Sequence, residues 1–174
     1  LINNVAIAAH YAKSLAYKKI LIIDFDVHHG NGTQEIFYED ESVFYLSSHQ
    51  YPFYPGTGSF DEKGRGKGLG YTLNWPFTAG TKDSVLIKHY ERHFPPIISF
   101  FKPDLVLISA GYDLHQADPL GGFNISTMGI QKILEICLKN LSEIPTIAVL
   151  EGGYNPQALA ECVLMTLDCM LSHA

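Results

Sequence analysis

Basic residues are scarce. Twelve Lys and Arg face eighteen Asp and Glu in 174 residues, a formal net charge of −6, so the chain carries no electrostatic footprint for nucleic acid or an anionic membrane. Cysteine is limited to three, at Cys137, Cys162 and Cys169. Their odd count and their place in helix-like stretches exclude a disulfide framework and read as buried thiols in a reducing compartment. No run reaches the ~18 to 20 apolar residues that a membrane helix needs. The opening Leu1-Ile2-Asn3-Asn4 has neither a basic region nor a cleavage-like site. A cytoplasmic location follows as the expectation, or a nuclear one in a eukaryote, with no membrane partner.

Motifs for several chemistries are also missing. The glycines between Ser48 and Gly70 fit neither Gly-x-Gly-x-x-Gly nor Gly-x-x-x-x-Gly-Lys-Ser/Thr, and they lead toward a weak strand instead of opening a helix, which argues against a nucleotide cradle. There is no Gly-x-Ser-x-Gly elbow, and no cysteine has a local histidine partner. What is abundant is apolar sequence: 47% of residues are hydrophobic and 17% charged, which excludes a disordered chain. A chain of this size buries roughly 70% of its unfolded surface, enough for one core.

Three apolar runs, Ile20 to Phe25, Leu105 to Ala110 and Thr146 to Leu150, read as buried parallel strands. Val43 to Leu46 and Tyr71 to Leu73 are weaker strand candidates. Amphipathic stretches predict helices over Asn4 to Tyr17, Thr81 to Phe101 with a break at Pro95-Pro96, Ser126 to Leu141, and Pro156 to Leu171. Ser126 and Asn155-Pro156 are start signals for the last two. Alternating strands and helices imply an α/β fold in three layers, a mostly parallel sheet flanked by helices. The segment from Ser48 to Gly70 is a long loop, and loops of that length inside a domain are usually functional.

Each apolar run ends in polar chemistry: Asp24-Phe25-Asp26-Val27-His28-His29-Gly30, then Ser109-Ala110-Gly111-Tyr112-Asp113 leading to Asp118, and Glu151-Gly152-Gly153-Tyr154. In open parallel sheets, sites form outside the carboxyl ends of strands. Asp24, Asp26 and His28 are spaced by two, so on an extended backbone they share a face. Taken alone, such residues are as readily caps and turn residues. Two further polar strand ends favour a metal site, with Asp26 and His28 from one strand, Asp118 from another, and an open position of the catalytic-zinc type. Tyr154, presented by two glycines, would donate a hydrogen bond to a developing oxyanion.

These motifs, with Asn3-Asn4-Val5-Ala6-Ile7-Ala8-Ala9, Asn31-Gly32-Thr33-Gln34, Pro55-Gly56-Thr57-Gly58 and Asp118-Pro119-Leu120-Gly121-Gly122, resemble the zinc-dependent histone deacetylase family across almost the whole chain. Asn31 and the Glu-Gly-Gly-Tyr-Asn ending resemble its class II branch, which includes acetylpolyamine amidohydrolases. The resemblance implies an arginase-like fold in which Asp26, His28 and Asp118 hold Zn²⁺ and Tyr154 polarises an acetyl carbonyl. The implied substrates are an acetylated lysine peptide or an acetylpolyamine. Arginases use two metals and carry a further Asp where this chain has Gly30, so one catalytic metal is expected.

By the same resemblance, Asp24, Asp26, His28, Ser47 and Ser48 form a K⁺ site, and Phe37, Asp40 and Val43 a second one. Tyr54, Ile125 and Gly153 would line the acyl tunnel. Asp24 and Asn31 would orient two histidines of a Gly-His-His-Ala element, which the family carries just before the Asn-Asn-Val-Ala-Ile-Ala-Ala helix. That element is not among these residues, so residues 1–174 are expected to be one partial catalytic domain, weak or inactive as it stands. A catalytically incomplete scaffold with the same fold is the alternative reading. Apolar surface left uncovered would allow an oligomer.

Overall fold

The computed structural model describes residues 2–173. Five strands form one wholly parallel sheet: β1 (Ile20–Asp24), β2 (Val43–Gln50), β3 (Thr72–Phe77), β4 (Leu105–Ala110) and β5 (Thr146–Leu150), in the spatial order β3-β2-β1-β4-β5. Five helices connect and cover it: α1 (Asn4–Ser14), α2 (Asn31–Phe37), α3 (Asp83–Phe101), α4 (Thr127–Asn140) and α5 (Pro156–Ser172). The alternation of side chains along β1 explains the layers. Leu21 and Ile23 join the larger core with α3, α4 and α5, whereas Ile20 and Ile22 join a smaller core with α1 and Phe37 of α2. This is the three-layer α/β arrangement that the sequence pattern implies.

Caps at three helix starts are visible in the residue types. The Asn3 side chain accepts from the Ala6 amide, Ser126 from Gly129, and Asn155 from Gln157 and Ala158 with Pro156 at the first turn, each satisfying an otherwise orphaned N–H. The expected break at Pro95-Pro96 does not occur, and α3 runs through both prolines. The carbonyls that lose their helical donors there belong to Glu91 and Arg92, both at exposed positions where water can serve them. Phe94, Ile97 and Phe101 meanwhile stay anchored in the larger core. Tertiary burial thus outweighs the local cost of the prolines.

Two strands extend further than their apolar runs. β2 continues through Ser47, Ser48, His49 and Gln50, all buried. Three of these polar side chains find partners: Ser47 Oγ lies 2.9 Å from His49 Nδ1, Ser48 Oγ 2.7 Å from Tyr90 Oη, and His49 Nε2 2.9 Å from the Gly58 carbonyl, while Gln50 Oε1 is left unpaired. β3 extends to Phe77 and includes Pro76, which an edge strand tolerates because one side of it needs no partner.

β5 departs from expectation in the other direction. Its apolar run predicts a buried strand, yet Ile147 and Leu150 are 50% and 55% exposed. The strand pairs only with β4, so among the described residues it is an edge. Ile7, Tyr11 and Leu15 on α1 are likewise exposed. Apolar patches of this kind promote association. The purified chain is therefore expected to elute and scatter light as oligomers, and the pair Ile147→Lys with Leu150→Lys to lower its apparent mass; a monodisperse chain of monomer mass would refute this.

Candidate metal and acyl-amide site

Register brings the polar strand ends level. Asp24 of β1 stands beside Ser47 of β2 and Ser109 of β4, and Ala110 of β4 beside Leu150 of β5. The residues that follow these positions therefore meet at one rim of the sheet, as expected for a parallel fold. Asp26 is central to the meeting. Its Oδ1 accepts from the His28 amide at 2.8 Å and its Oδ2 from the Gly152 amide at 3.0 Å, which ties the end of β1 to the end of β5. Asp113 ties in β4, its Oδ1 accepting from the Val27 amide at 2.8 Å.

His28 sits between these carboxylates. Its Nδ1 is 3.1 Å from Asp26 Oδ1 and 3.0 Å from Asp113 Oδ2. Hydrogen bonds to Asp113 and Asp26 push the imidazole up to about 10, against the opposing cost of burial. Burial raises Asp113 to about 6 despite the His28 partner. Asp24, fully enclosed, is raised well above the usual carboxylate range by burial and by Asp26; its Oδ2 accepts from Tyr45 Oη at 2.9 Å. The rim therefore brings together carboxylates whose ionised forms a proton on His28, or a bound cation, would stabilise.

Ligand atoms of Asp26, His28 and Asp113 lie within 4.8 Å of one another, the only group of this kind among the described residues. Two carboxylates and an imidazole are a donor set suited to a divalent metal such as zinc. Asp26 and His28, both named from the sequence, belong to this group. Asp118 is not in the group: its Oδ1 accepts from the Leu120 amide at 2.9 Å and its Oδ2 from the Tyr154 amide at 2.6 Å. Asp113, carried directly off the end of β4, is the carboxylate that lies against Asp26 and His28 here. Its position straight after Gly111-Tyr112 was the available signal.

Tyr154 follows Gly153, whose φ of +140° is a conformation that favours glycine. The ring is 52% exposed. Burial, then Asp113, Asp26 and Asp118, raise its phenol, so the hydroxyl remains a donor. Tyr54 stands edge-on to His28 with centroids 6.3 Å apart, and Phe53, which the sequence reading overlooked, stacks on His28 at 5.3 Å. Ile125 does not line an open wall: it is fully buried in the larger core and bridged to His115. Asn31 opens α2 with its side chain exposed. Ser47 and Ser48 sit beside Asp24, with their hydroxyls on His49 and Tyr90. The carbonyls of Phe37 and Asp40 each accept a nearby backbone amide.

Fold and rim together define an α/β protein of the arginase-like type. The family model for the histone deacetylase domain matches residues 1–170, and the chain belongs to that family. It is 42% identical over 174 residues to "Histone deacetylase 10, chloroplastic" of Oryza sativa, covering 97% of this chain and 39% of the rice protein. A "Probable deacetylase" of Archaeoglobus fulgidus is 40% identical over 157 residues, covering 88% and 44%. Among solved structures, the HDA15 HD domain superposes with a TM-score of 0.93 at 40% identity, covering 98% of this chain and 51% of that one. An acetylpolyamine aminohydrolase from Burkholderia pseudomallei gives 0.89 at 32%, covering 97% and 49%. The chain thus spans well under two thirds of the length of these proteins.

The close approach at Gly152 provides a test of the site's assembly. A Cβ there would lie 2.2 Å from Asp113 Oδ2 and 2.5 Å from Asp26 Oδ2. Gly152→Ala is expected to lower stability by about 1–3 kcal/mol, the usual cost of overpacking, measured by urea denaturation. An unchanged midpoint would mean that the two carboxylates are not held as described.

Proposed function

We propose that the protein of which these residues form part is a zinc-dependent amidohydrolase that removes acetyl groups from acetyl-lysine side chains or acetylpolyamines. The observation that carries this reading is the Asp26–His28 pair at the rim of a sheet of this family's fold, with Asp113 against it on the buried side and Asp118 on the Tyr154 amide beside it. Asp26, His28 and Asp118, the set implied by the family motifs, would hold Zn²⁺. Asp113, with no exposed surface and already bonded to the Val27 amide, braces His28 from the buried side. When bound, the ion would lower the pKa of a water and polarise the amide oxygen. K⁺ at the Asp24, Ser47 and Ser48 strand ends, and at Phe37, Asp40 and Val43, is the expected structural cation.

The chain's own residues have distinct tasks. Tyr154, its proton held by the surrounding carboxylates, donates a hydrogen bond to the acetyl oxygen as negative charge develops there. Asp26 fixes both the loop that carries His28 and the Gly152 turn that carries Tyr154. Phe53 packs against the flat face of His28 and limits its rotation. Tyr54 and Gly153 flank the approach to the rim, where an extended acyl-amine chain would lie.

In the full-length protein, Asp26→Ala, His28→Ala and Asp118→Ala are each expected to reduce bound zinc, measured by atomic absorption, from one equivalent to near none. Zinc retained by Asp118→Ala but lost by Asp113→Asn would transfer the third ligand to Asp113. Tyr154→Phe is expected to keep zinc and stability but to lower kcat on an acetyl-lysine peptide by roughly 10²- to 10³-fold, the cost of one oxyanion donor. Full activity in that variant would overturn the mechanism.

A further inference from the structure

The far end of α5 gathers sulfur and imidazole. Met165, Cys169 and His173 follow one another at intervals of four, so they line one face of the helix and its C-terminal cap. That face borders a cavity of about 860 Å³ between α3, α4 and α5, to which α4 contributes Gln131 and Glu135. None of the metal-rim residues lines it. Pro156, where α5 leaves the rim, is nine residues before Met165, roughly 14 Å along the helix axis. Read from the sequence, no cysteine has a histidine partner; the helix supplies one for Cys169.

The two sulfurs are in contact, the Cys169 thiol donating to Met165 Sδ at 3.8 Å. With metal–sulfur bonds of about 2.3 Å, sulfurs so placed subtend roughly 110° at an ion between them, an ordinary coordination angle. Met165 packs against the larger core and Cys169 is buried, so both sulfurs are held in place. His173 has its tautomer set. Its Nδ1 lies 2.8 Å from the Cys169 carbonyl, which can only accept, so Nδ1 carries the proton and Nε2 keeps its lone pair. Orientation by a backbone carbonyl is a usual support of metal-binding histidines.

Carboxylates stay back from this group. Burial, then Glu135 and Asp168, raise the Cys169 thiol, so it carries its proton at neutral pH. Among the described residues, however, neither carboxylate forms a close trio with Cys169 and His173 of the kind seen at Asp26, His28 and Asp113. Glu135 is engaged by the Lys132 ammonium at 3.1 Å. The donor set is therefore a thiol, a thioether and an imidazole. Zinc takes thiolate, imidazole and carboxylate ligands and leaves thioethers aside, whereas thiolate with thioether suits Cu(I).

We propose that Met165, Cys169 and His173 bind one Cu(I) ion in a three-coordinate site of two sulfurs and one nitrogen. The Cys169 proton leaves to solvent as the copper–thiolate bond forms, Met165 Sδ and His173 Nε2 each donate a lone pair, and no electron is transferred. The site is independent of the hydrolytic reading, since it shares no residue with the metal rim.

Anaerobic titration of the zinc-loaded full-length protein with Cu(I), in competition with bathocuproine disulfonate, is expected to fill one tight site that Cys169→Ala removes. Met165→Leu, which conserves volume, and His173→Ala, at an exposed helix end, should each weaken Cu(I) at least about tenfold, as the loss of even an outer partner of a metal ligand does. X-ray absorption at the copper edge should show two sulfurs and one nitrogen, with one sulfur fewer in Met165→Leu. Equal Cu(I) binding by the wild type and Cys169→Ala, unchanged affinity in Met165→Leu, or a copper edge without nitrogen would each overturn the proposal.

Discussion

The structure depends on holding several carboxylates together at low exposure. Asp24, Asp26 and Asp113 converge because β1 and β4 are parallel neighbours in exact register, Asp24 beside Ser109. Burial and mutual repulsion oppose their ionisation. Backbone amides answer part of that cost: Val27 and His28 on the first strand's extension and Gly152 on the last strand's each donate to a carboxylate oxygen. The remainder falls to His28, whose proton is shared between Asp26 and Asp113. A fold that spends so many donors on one acidic rim is organised around a positive charge at that point.

That electrostatic arrangement also shapes the backbone. The carboxylates approach the Gly-Gly turn after β5 so closely that position 152 has no space for a Cβ, and position 153 adopts a φ that an L side chain rarely takes. The two glycines therefore have different tasks. The first admits Asp26 and Asp113; the second turns the chain so that Tyr154 follows with its amide on Asp118. A phenol delivered in this way is fixed at its backbone but half-exposed at its ring, suited to meeting a ligand that arrives from solvent.

Much of this was legible in the sequence because it is local. Period-two spacing placed Asp24, Asp26 and His28 on one extended segment, and apolar runs identified three of the five strands. β2 was foreshortened because its outer half is polar, with Ser48 and His49 finding side-chain partners on Tyr90 and in the Gly58 loop, distant in sequence; β3 was foreshortened because Asn74 and Pro76 interrupt its apolar run. The prolines of α3 misled for a similar reason, since anchors at Phe94, Ile97 and Phe101 lie in another layer. The motifs single out Asp118 as the third carboxylate, and nothing in the spacing points to Asp113. Both follow β4, and only the pairing of Asp113 with Val27 draws it under His28.

The sheet divides its chemistry by strand. At the ends of β1, β4 and β5, acidic side chains face a rim with no Lys or Arg in a salt bridge to them among the described residues, which suits a bound cation. Along β3 the alternating residues are Leu73, Trp75 and Phe77, and the neighbouring imidazoles are uncharged or exposed. Both faces are reached by the same long loop: Phe53 and Tyr54 lie against His28, and Phe60, six residues beyond Tyr54, closes an aromatic pocket over β3. Glu62 holds that loop down, its Oε1 accepting the Gly58 and Ser59 amides and its Oε2 the Gln34 side chain, which in turn lies 3.0 Å from His29. A single carboxylate in the loop thus links the segment that lies against His28 to helix α2 and to the residue adjoining His28, so the face that Phe53 and Tyr54 present is held from two directions.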